Sequence, residues 1–191
     1  SGIGVEKDET QAVHWLERAA EKDFRRAQSI LADCLQAGRG VEADLVRAAA
    51  LYEQAAQAGY LPAICDLGLC YELGEGVPED KARGAALYRR AAAGGYARAQ
   101  CNLGFCYLRG IGVERDEVQA VHWLEQAAEQ DFPRALDLLG DCAADGVGME
   151  ADQARAVEYY RQAAELDYPV SMVSLGLCYE RGDGVEADAA K

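Results

Sequence analysis

Apolar residues recur along this chain every three or four positions, in short runs that come in pairs. That spacing places them on one face of an α-helix. The runs predict ten helices and no strands, over residues 9–22, 24–37, 45–58, 60–73, 81–93, 96–109, 117–130, 132–145, 153–166 and 168–181. In the first, Ala12, Trp15, Leu16, Ala19 and Ala20 share a broad face. In the second, Phe24, Ala27, Leu31 and Cys34 point inward. Asp23 and Gly94-Gly95 mark turns inside pairs. Pro62, Pro133 and Pro169 fall in first turns, where a missing N–H is harmless.

One stretch separates the pairs and occurs six times. Its clearest copy is Gly110-Ile111-Gly112-Val113-Glu114-Arg115-Asp116; the others begin at Gly2, Gly38, Gly74, Gly146 and Gly182. All fit Gly-x-Gly-(Val/Met)-x-x-Asp, and each starts 36 residues after the last. A fixed period of this length means stacked helix-turn-helix units. The first Gly sits where a helix ends in a left-handed residue. The second keeps the connection tight. The Asp precedes the next apolar run and reads as its N-cap. A phosphate-cradling glycine loop would need a preceding strand or a Gly-Lys-Ser/Thr ending, and neither is present. We call the helix before the glycine loop A and the helix after the Asp B.

Alignment of the repeats exposes the stacking positions. Ala-Ala recurs at Ala19-Ala20, Ala55-Ala56, Ala91-Ala92, Ala127-Ala128 and Ala163-Ala164, and allows close helix approach. Leu31, Leu67, Leu103, Leu139 and Leu175 share one position. Ala32, Gly68, Gly104, Gly140 and Gly176 follow it, and the glycines predict close backbone contact. Tyr71, Tyr107 and Tyr179 are expected to be buried near the ends of A helices. Residues 1–27 match 109–135 at 21 of 27 positions, which suggests duplication of a three-repeat block.

Composition narrows the function classes. A net charge of −14 and a pI near 4.5 oppose general binding to nucleic acid or an anionic membrane. No apolar stretch is long enough to insert into a membrane as a helix, and no signal peptide is visible. The chain starts inside one loop motif and stops just after another. That predicts one domain over residues 1–191, excised from a longer array.

The repeat resembles the Sel-one-like repeat (SLR) family, a relative of the tetratricopeptide repeat. One full copy reads Ala99, Leu103-Gly104, Tyr107, Gly110-Ile111-Gly112-Val113, Asp116, Ala120, Trp123 and Ala127-Ala128. The resemblance covers essentially the whole chain. It implies an all-α, right-handed αα-superhelix (solenoid) whose A helices line a concave face. It also implies adaptor work in signalling, secretion, membrane-protein quality control or cell-envelope processes, with no catalytic residues to carry over. Met149 departs from the pattern in one loop, and Leu35 and Ala143 replace the helix-A Tyr.

All seven cysteines lie on A helices: Cys34, Cys70, Cys106, Cys142 and Cys178 at one position, Cys65 and Cys101 at another. Residues five apart on a helix point about 140° apart. Equivalent positions on neighbouring helices lie about 8–10 Å apart between axes, and a disulfide needs Cα atoms about 4.4–6.8 Å apart. Cysteine-rich secreted relatives of the SLR family tie A to B within a repeat, but here no B helix carries a Cys. Small buried apolar residues are the favoured reading. Zinc is the alternative, because Cys65–Cys70 and Cys101–Cys106 have C-x₄-C spacing. Yet the thiols diverge on a continuous helix and no His is near. Reduced thiols favour the cytoplasm.

No catalytic, cofactor or metal site is predicted, and no enzymatic activity. His14 and His122 occupy one repeat position beside Trp15 and Trp123 and read as helix-surface residues. Paired carboxylates such as Glu79-Asp80 sit where capping explains them. The candidate partner-binding residues stand on the other face of the A helices. Two residues after the recurrent Leu come Asp33, Leu69, Phe105, Asp141 and Leu177, which vary in kind. Leu108 and Asn102 lie one turn from Phe105, and Arg98, Arg109, Arg134 and Arg181 edge the same groove. An apolar centre ringed by Arg and Asn suits an extended peptide or a partner helix. Equally, Leu69, Phe105 and Leu177 would serve as packing between A helices. The expected function is a protein–protein interaction adaptor; the alternative is a structural spacer with an empty groove. Exposed end faces, with Trp15 and Leu16 at one and Leu175 and Tyr179 at the other, predict head-to-tail self-association.

Overall fold

Each predicted run folds as an α-helix in a computed structural model that describes residues 7–185. The helices are α1 (Glu9–Ala20), α2 (Arg25–Ala37), α3 (Leu45–Gln57), α4 (Leu61–Leu73), α5 (Lys81–Ala93), α6 (Ala97–Arg109), α7 (Glu117–Ala128), α8 (Pro133–Asp145), α9 (Gln153–Glu165) and α10 (Pro169–Arg181). No strand occurs among the described residues. The chain divides at Gly94/Gly95 into two units, the first with α1–α5 and the second with α6–α10. Within each unit every helix packs on the next in sequence, A helices most closely on the B helix that follows.

The loop between A and B is a two-way clip. In the second unit Gly146 ends α8 in the left-handed region at φ 71°, and its N–H donates to the Cys142 carbonyl. Gly148 follows at φ 69°, where a Cβ would lie 2.2 Å from the Glu117 carbonyl oxygen of α7. Only glycine allows that approach. The Asp then bonds both helices. The Asp152 N–H donates to the Ala143 carbonyl of α8 at 2.8 Å, while its carboxylate accepts from the Arg155 N–H of α9 at 3.0 Å. Asp44, Asp80 and Asp116 repeat this double bond. Asp8 caps α1 in the same way through its carboxylate. The Gly2 copy of the motif lies largely outside the described residues, as does Asp188 of the last copy.

The turn inside each pair uses left-handed Asp23, Asp131 and Asp167 (φ 56°, 55° and 59°) or Gly59 and Gly95. Asp tolerates this conformation better than most residues. The next residue, Phe24, Tyr60, Tyr96, Phe132 or Tyr168, holds the N-cap position in extended backbone, so each A helix starts one residue later than its spacing suggests. Phe24 is accordingly not inward: it is 57% exposed.

The recurrent Leu and Ala positions form the core. Leu31, Leu67, Leu103 and Leu139 are buried, as are Ala55, Ala56, Ala91, Ala92, Ala127 and Ala163. The glycine after the Leu makes room mainly for a side chain, with backbone contact secondary. A Cβ on Gly140 would meet the Tyr160 ring at 2.3 Å, one on Gly68 the Tyr88 ring at 2.8 Å, and one on Gly104 the Leu124 side chain at 2.8 Å. These tyrosines, with Tyr52, carry a strut. Their hydroxyls donate to Asp33 (2.6 Å, from Tyr52), Glu72 (2.7 Å, from Tyr88) and Asp141 (2.9 Å, from Tyr160) on the preceding A helix. Burial and the carboxylate partner push the Tyr52 and Tyr160 phenols well above their ordinary pKa. Of the helix-A tyrosines, Tyr71 is buried, Tyr107 is half-buried and Tyr179 is exposed. Tyr179 lies on α10, and no described helix follows α10 to cover it.

One buried pair is unlike the other repeats. Asp137 stands where Cys65 and Cys101 stand, and Ser171 where Ala63, Ala99 and Ala135 stand. The fully buried Ser171 hydroxyl donates to Asp137 at 2.6 Å. Burial raises the Asp137 pKa, and the Ser171 bond and Arg134 oppose the shift. Each change would leave a buried polar group unsatisfied without the other.

Candidate partner interface

In the second unit α6 presents the half-buried Phe105 and Leu108 and the exposed Arg109, three and four residues from Phe105. Opposite it, α8 presents Leu138, Asp141 and Asp145. Arg115 and Val147 reach in from the loops after α6 and α8. Together with Cys142 these residues line a cleft of about 410 Å³. That volume suits a side chain or small group.

Phe105 is half-buried in this cleft, so it is neither core nor fully solvated. Two guanidinium groups lie over its ring, Arg134 at 5.2 Å and Arg109 at 5.7 Å from the centroid. Arg134 Nη1 also donates to Asn102 Oδ1 at 3.1 Å, which fixes it across the α6–α8 seam. Arg115 is paired with Glu117, and Asp141 accepts from Tyr160. Arg109 and Asp145 are exposed and form no ion pair among the described residues. Beneath them burial, with Asp141 and Asp145 close by, pushes the Cys142 thiol up to about 11.

Of the sequence candidates, Asn102, Phe105, Leu108, Arg109 and Arg134 therefore come together. Arg98 lies over the Tyr96 ring at 5.7 Å instead. Leu177, 40% exposed, and the exposed Arg181 belong to α10, and neither lines the cleft. Leu69 lies in the first unit on α4, 36% exposed. Sequence reasoning placed Asp141 on the same variable face but not among the partner-binding residues, and it did not select Leu138, Asp145, Arg115 or Val147. The signal was present, because Asp141 and Asp145 follow Phe105 and Arg109 by one repeat.

Other chemistry is sparse. His14 and His122 are exposed and lean edge-on against Trp15 and Trp123, with centroids 5.4 Å apart. Among the described residues no group of three His, Cys, Asp or Glu side chains is placed to hold a metal ion. Nor is any described helix long and apolar enough to cross a membrane.

A family model for the Sel1 repeat matches six consecutive segments, residues 1–24, 25–60, 61–96, 97–132, 133–168 and 169–191. The chain belongs to the Sel1 repeat family. Its all-α helix-turn-helix array is the solenoid fold of solved Sel1 repeat proteins. A protective antigen present in uropathogenic Escherichia coli strains, displaying an SLR fold, is 38% identical with a TM-score of 0.85. The match covers 92% of this chain and 38% of the antigen, so the chain spans well under half of that relative. A Sel1 repeat protein from Oxalobacter formigenes is 31% identical with a TM-score of 0.81, over 94% of this chain and 74% of that one. Cysteine rich protein B of Helicobacter pylori shares the fold at 23% identity and a TM-score of 0.55, over 72% of this chain and 99% of that one. No curated protein sequence matches the chain. Sel1 repeat proteins generally mediate protein–protein interaction and are typically non-enzymatic scaffolds.

Proposed function

We propose that this Sel1 repeat chain is an interaction scaffold that binds a peptide or partner protein on the face formed by its A helices. The Phe105 cleft is the centre of the contact. The observation that carries the reading is Phe105 itself, a half-buried ring under two guanidinium groups in an open cleft. An aromatic ring edged by arginines is the composition of an interface hot spot. Leu177, exposed at the equivalent position of α10 in the same unit, supports use of this position in another repeat, and Leu69 is exposed at the equivalent position of α4 in the first unit. Residues 1–191 act as one array on this reading, supported by repeat matches that run end to end. A reducing compartment suits thiols such as Cys70 and Cys142, both buried and pushed up to about 11.

The test is a paired pull-down from source-cell lysate. One bait is the native chain and the other carries Phe105→Asp with Leu69→Asp, both checked for helicity. A partner held by the first and lost by the second is the expected result. A partner held equally by both places binding on another face. If neither bait holds a partner, the spacer reading replaces this one.

A further inference from the structure

The two helices that wall the cleft end in opposite charges in matching register, Arg109 on α6 and Asp145 on α8, while the basic residue of α8, Arg134, lies at its start over the Phe105 ring. One repeat apart, Phe105 of α6 is answered by Asp141 of α8, Leu108 by Ala144, and Arg109 by Asp145. Arg115 adds a second cation on the α6 side. Between the charged walls lie Phe105, Leu108, Leu138 and Val147. Arg109 and Asp145 line one cleft yet make no ion pair with each other or with any other described residue.

Asp145 has no structural explanation. It is the last residue of α8, where a carboxylate opposes the helix dipole. The corresponding residues Ala37, Leu73, Arg109 and Arg181 are neutral or basic. A locally unfavourable charge lining the same cleft as the unpaired Arg109 and the Glu117-paired Arg115 is an arrangement for a ligand of complementary polarity.

We propose that the cleft takes a peptide segment of defined direction. One large apolar side chain lies between the walls, an acidic neighbour faces Arg109 and Arg115, and a basic neighbour faces Asp141 and Asp145. The inference rests on the scaffold reading and adds the chemistry of the partner. A reversed segment would set like charges together on both sides, so the walls select orientation as well as composition.

The experiment pans a phage-displayed random peptide library against the whole chain and three variants, Arg109→Glu, Asp145→Lys and Phe105→Asp. Far-UV circular dichroism and urea unfolding confirm that each is folded. Arg109 and Asp145 are chosen because neither makes an ion pair among the described residues, and Arg109 touches only the Phe105 ring, whereas Arg115 is paired with Glu117 and Asp141 holds the Tyr160 hydroxyl. The native chain is expected to enrich peptides with a large apolar residue between an acidic and a basic neighbour. Arg109→Glu should weaken a synthetic peptide of that pattern by about tenfold or more and select a basic residue in place of the acidic one. Asp145→Lys should give the mirror change. Enriched peptides without a charge pattern, or reversal variants that select as the native chain does, overturn the inference and leave the scaffold reading standing. Enrichment that survives Phe105→Asp places binding outside the cleft and also overturns it. Failure of the native chain to enrich any peptide removes the peptide reading and this inference together.

Discussion

Helices α1 and α7 share ten of twelve residues, ETQAVHWLERAA against EVQAVHWLEQAA, and both begin with an Asp cap. Their environments differ sharply. In α7, Ala120 and Leu124 are fully buried against α6, where Leu124 fills the space left by Gly104. In α1 the equivalent Ala12 is exposed, Leu16 is half-buried and Trp15 is 59% exposed. No described helix precedes α1 as α6 precedes α7. The mirror case is α10, where Gly176 has open space in place of the side chains that fill Gly68, Gly104 and Gly140. The lesson is that a Sel1 helix carries its own start signal but borrows its burial from the repeat beside it, as expected of a quasi-one-dimensional array.

The largest expected effect separates the two leucines. Leu124→Ala should cost about 2–5 kcal/mol, because the site beside Gly104 cannot collapse. Leu16→Ala should cost only about 1 kcal/mol. Urea unfolding of both variants measures the difference. Equal costs would break the comparison and mean that the α1 face is covered in solution, as head-to-tail association of copies would cover it. Sedimentation over a range of concentrations would then detect the assembly.

The glycines should show opposite signs. Gly140→Ala drives a methyl into the Tyr160 ring and should destabilise by about 1–3 kcal/mol. Gly176→Ala meets no neighbour and should stabilise by about 0.5–1 kcal/mol, the helix-propensity gain. Thermal unfolding of the pair should move the midpoint in opposite directions. A loss at Gly176 would show that another chain occupies that face.

The caps should not distinguish the helices. Asp8→Ala and Asp116→Ala each remove one carboxylate bond to the first turn, and the shared cost is about 1 kcal/mol. The Asp116 loop also uses the backbone N–H, which survives the substitution. Unequal losses in chemical denaturation would show that tertiary context reaches the cap.

The smallest effect concerns pH. A carboxyl whose folded pKa is raised holds its proton more tightly in the folded state. Its contribution is therefore present at low pH and falls as pH rises from the ordinary 3.8 through the raised folded value. Relative to Asp137→Asn, which keeps an acceptor for Ser171, the native chain should lose stability across that window and keep a constant deficit above it. Denaturation midpoints of both proteins against pH measure the gap. A gap that narrows with rising pH would show that the Ser171 bond and Arg134 outweigh burial.

The loop chemistry was legible in the sequence because it is local. Gly146 must turn left-handed and Asp152 must cap α9 whatever lies elsewhere, and both residues declare it. The tyrosine struts were not legible. Tyr52, Tyr88 and Tyr160 share a position with Leu124 and Leu16, and their carboxylate partners sit on a different helix. The inward placement of Phe24 failed because an aromatic at the first apolar position of the run proved to be an extended N-cap residue. At the candidate site the α6 wall was legible from variation among the repeats. The rest of the cleft was not legible as a site, because Leu138 and Asp145 join Asp141 as a wall only where α8 lies across from α6.

The sequence alone determined the period, the number and order of the helices, the Asp caps and glycine stops, the family and the identity of the small residues that let helices approach. These follow from backbone conformations and capping bonds that span a few residues. Tertiary structure alone decided which leucine of two nearly identical helices is core, which ring fills each glycine gap, and which two walls enclose Phe105. Those outcomes depend on helices brought together across the chain, and neither burial nor the pairing of charges is a property of one helix by itself.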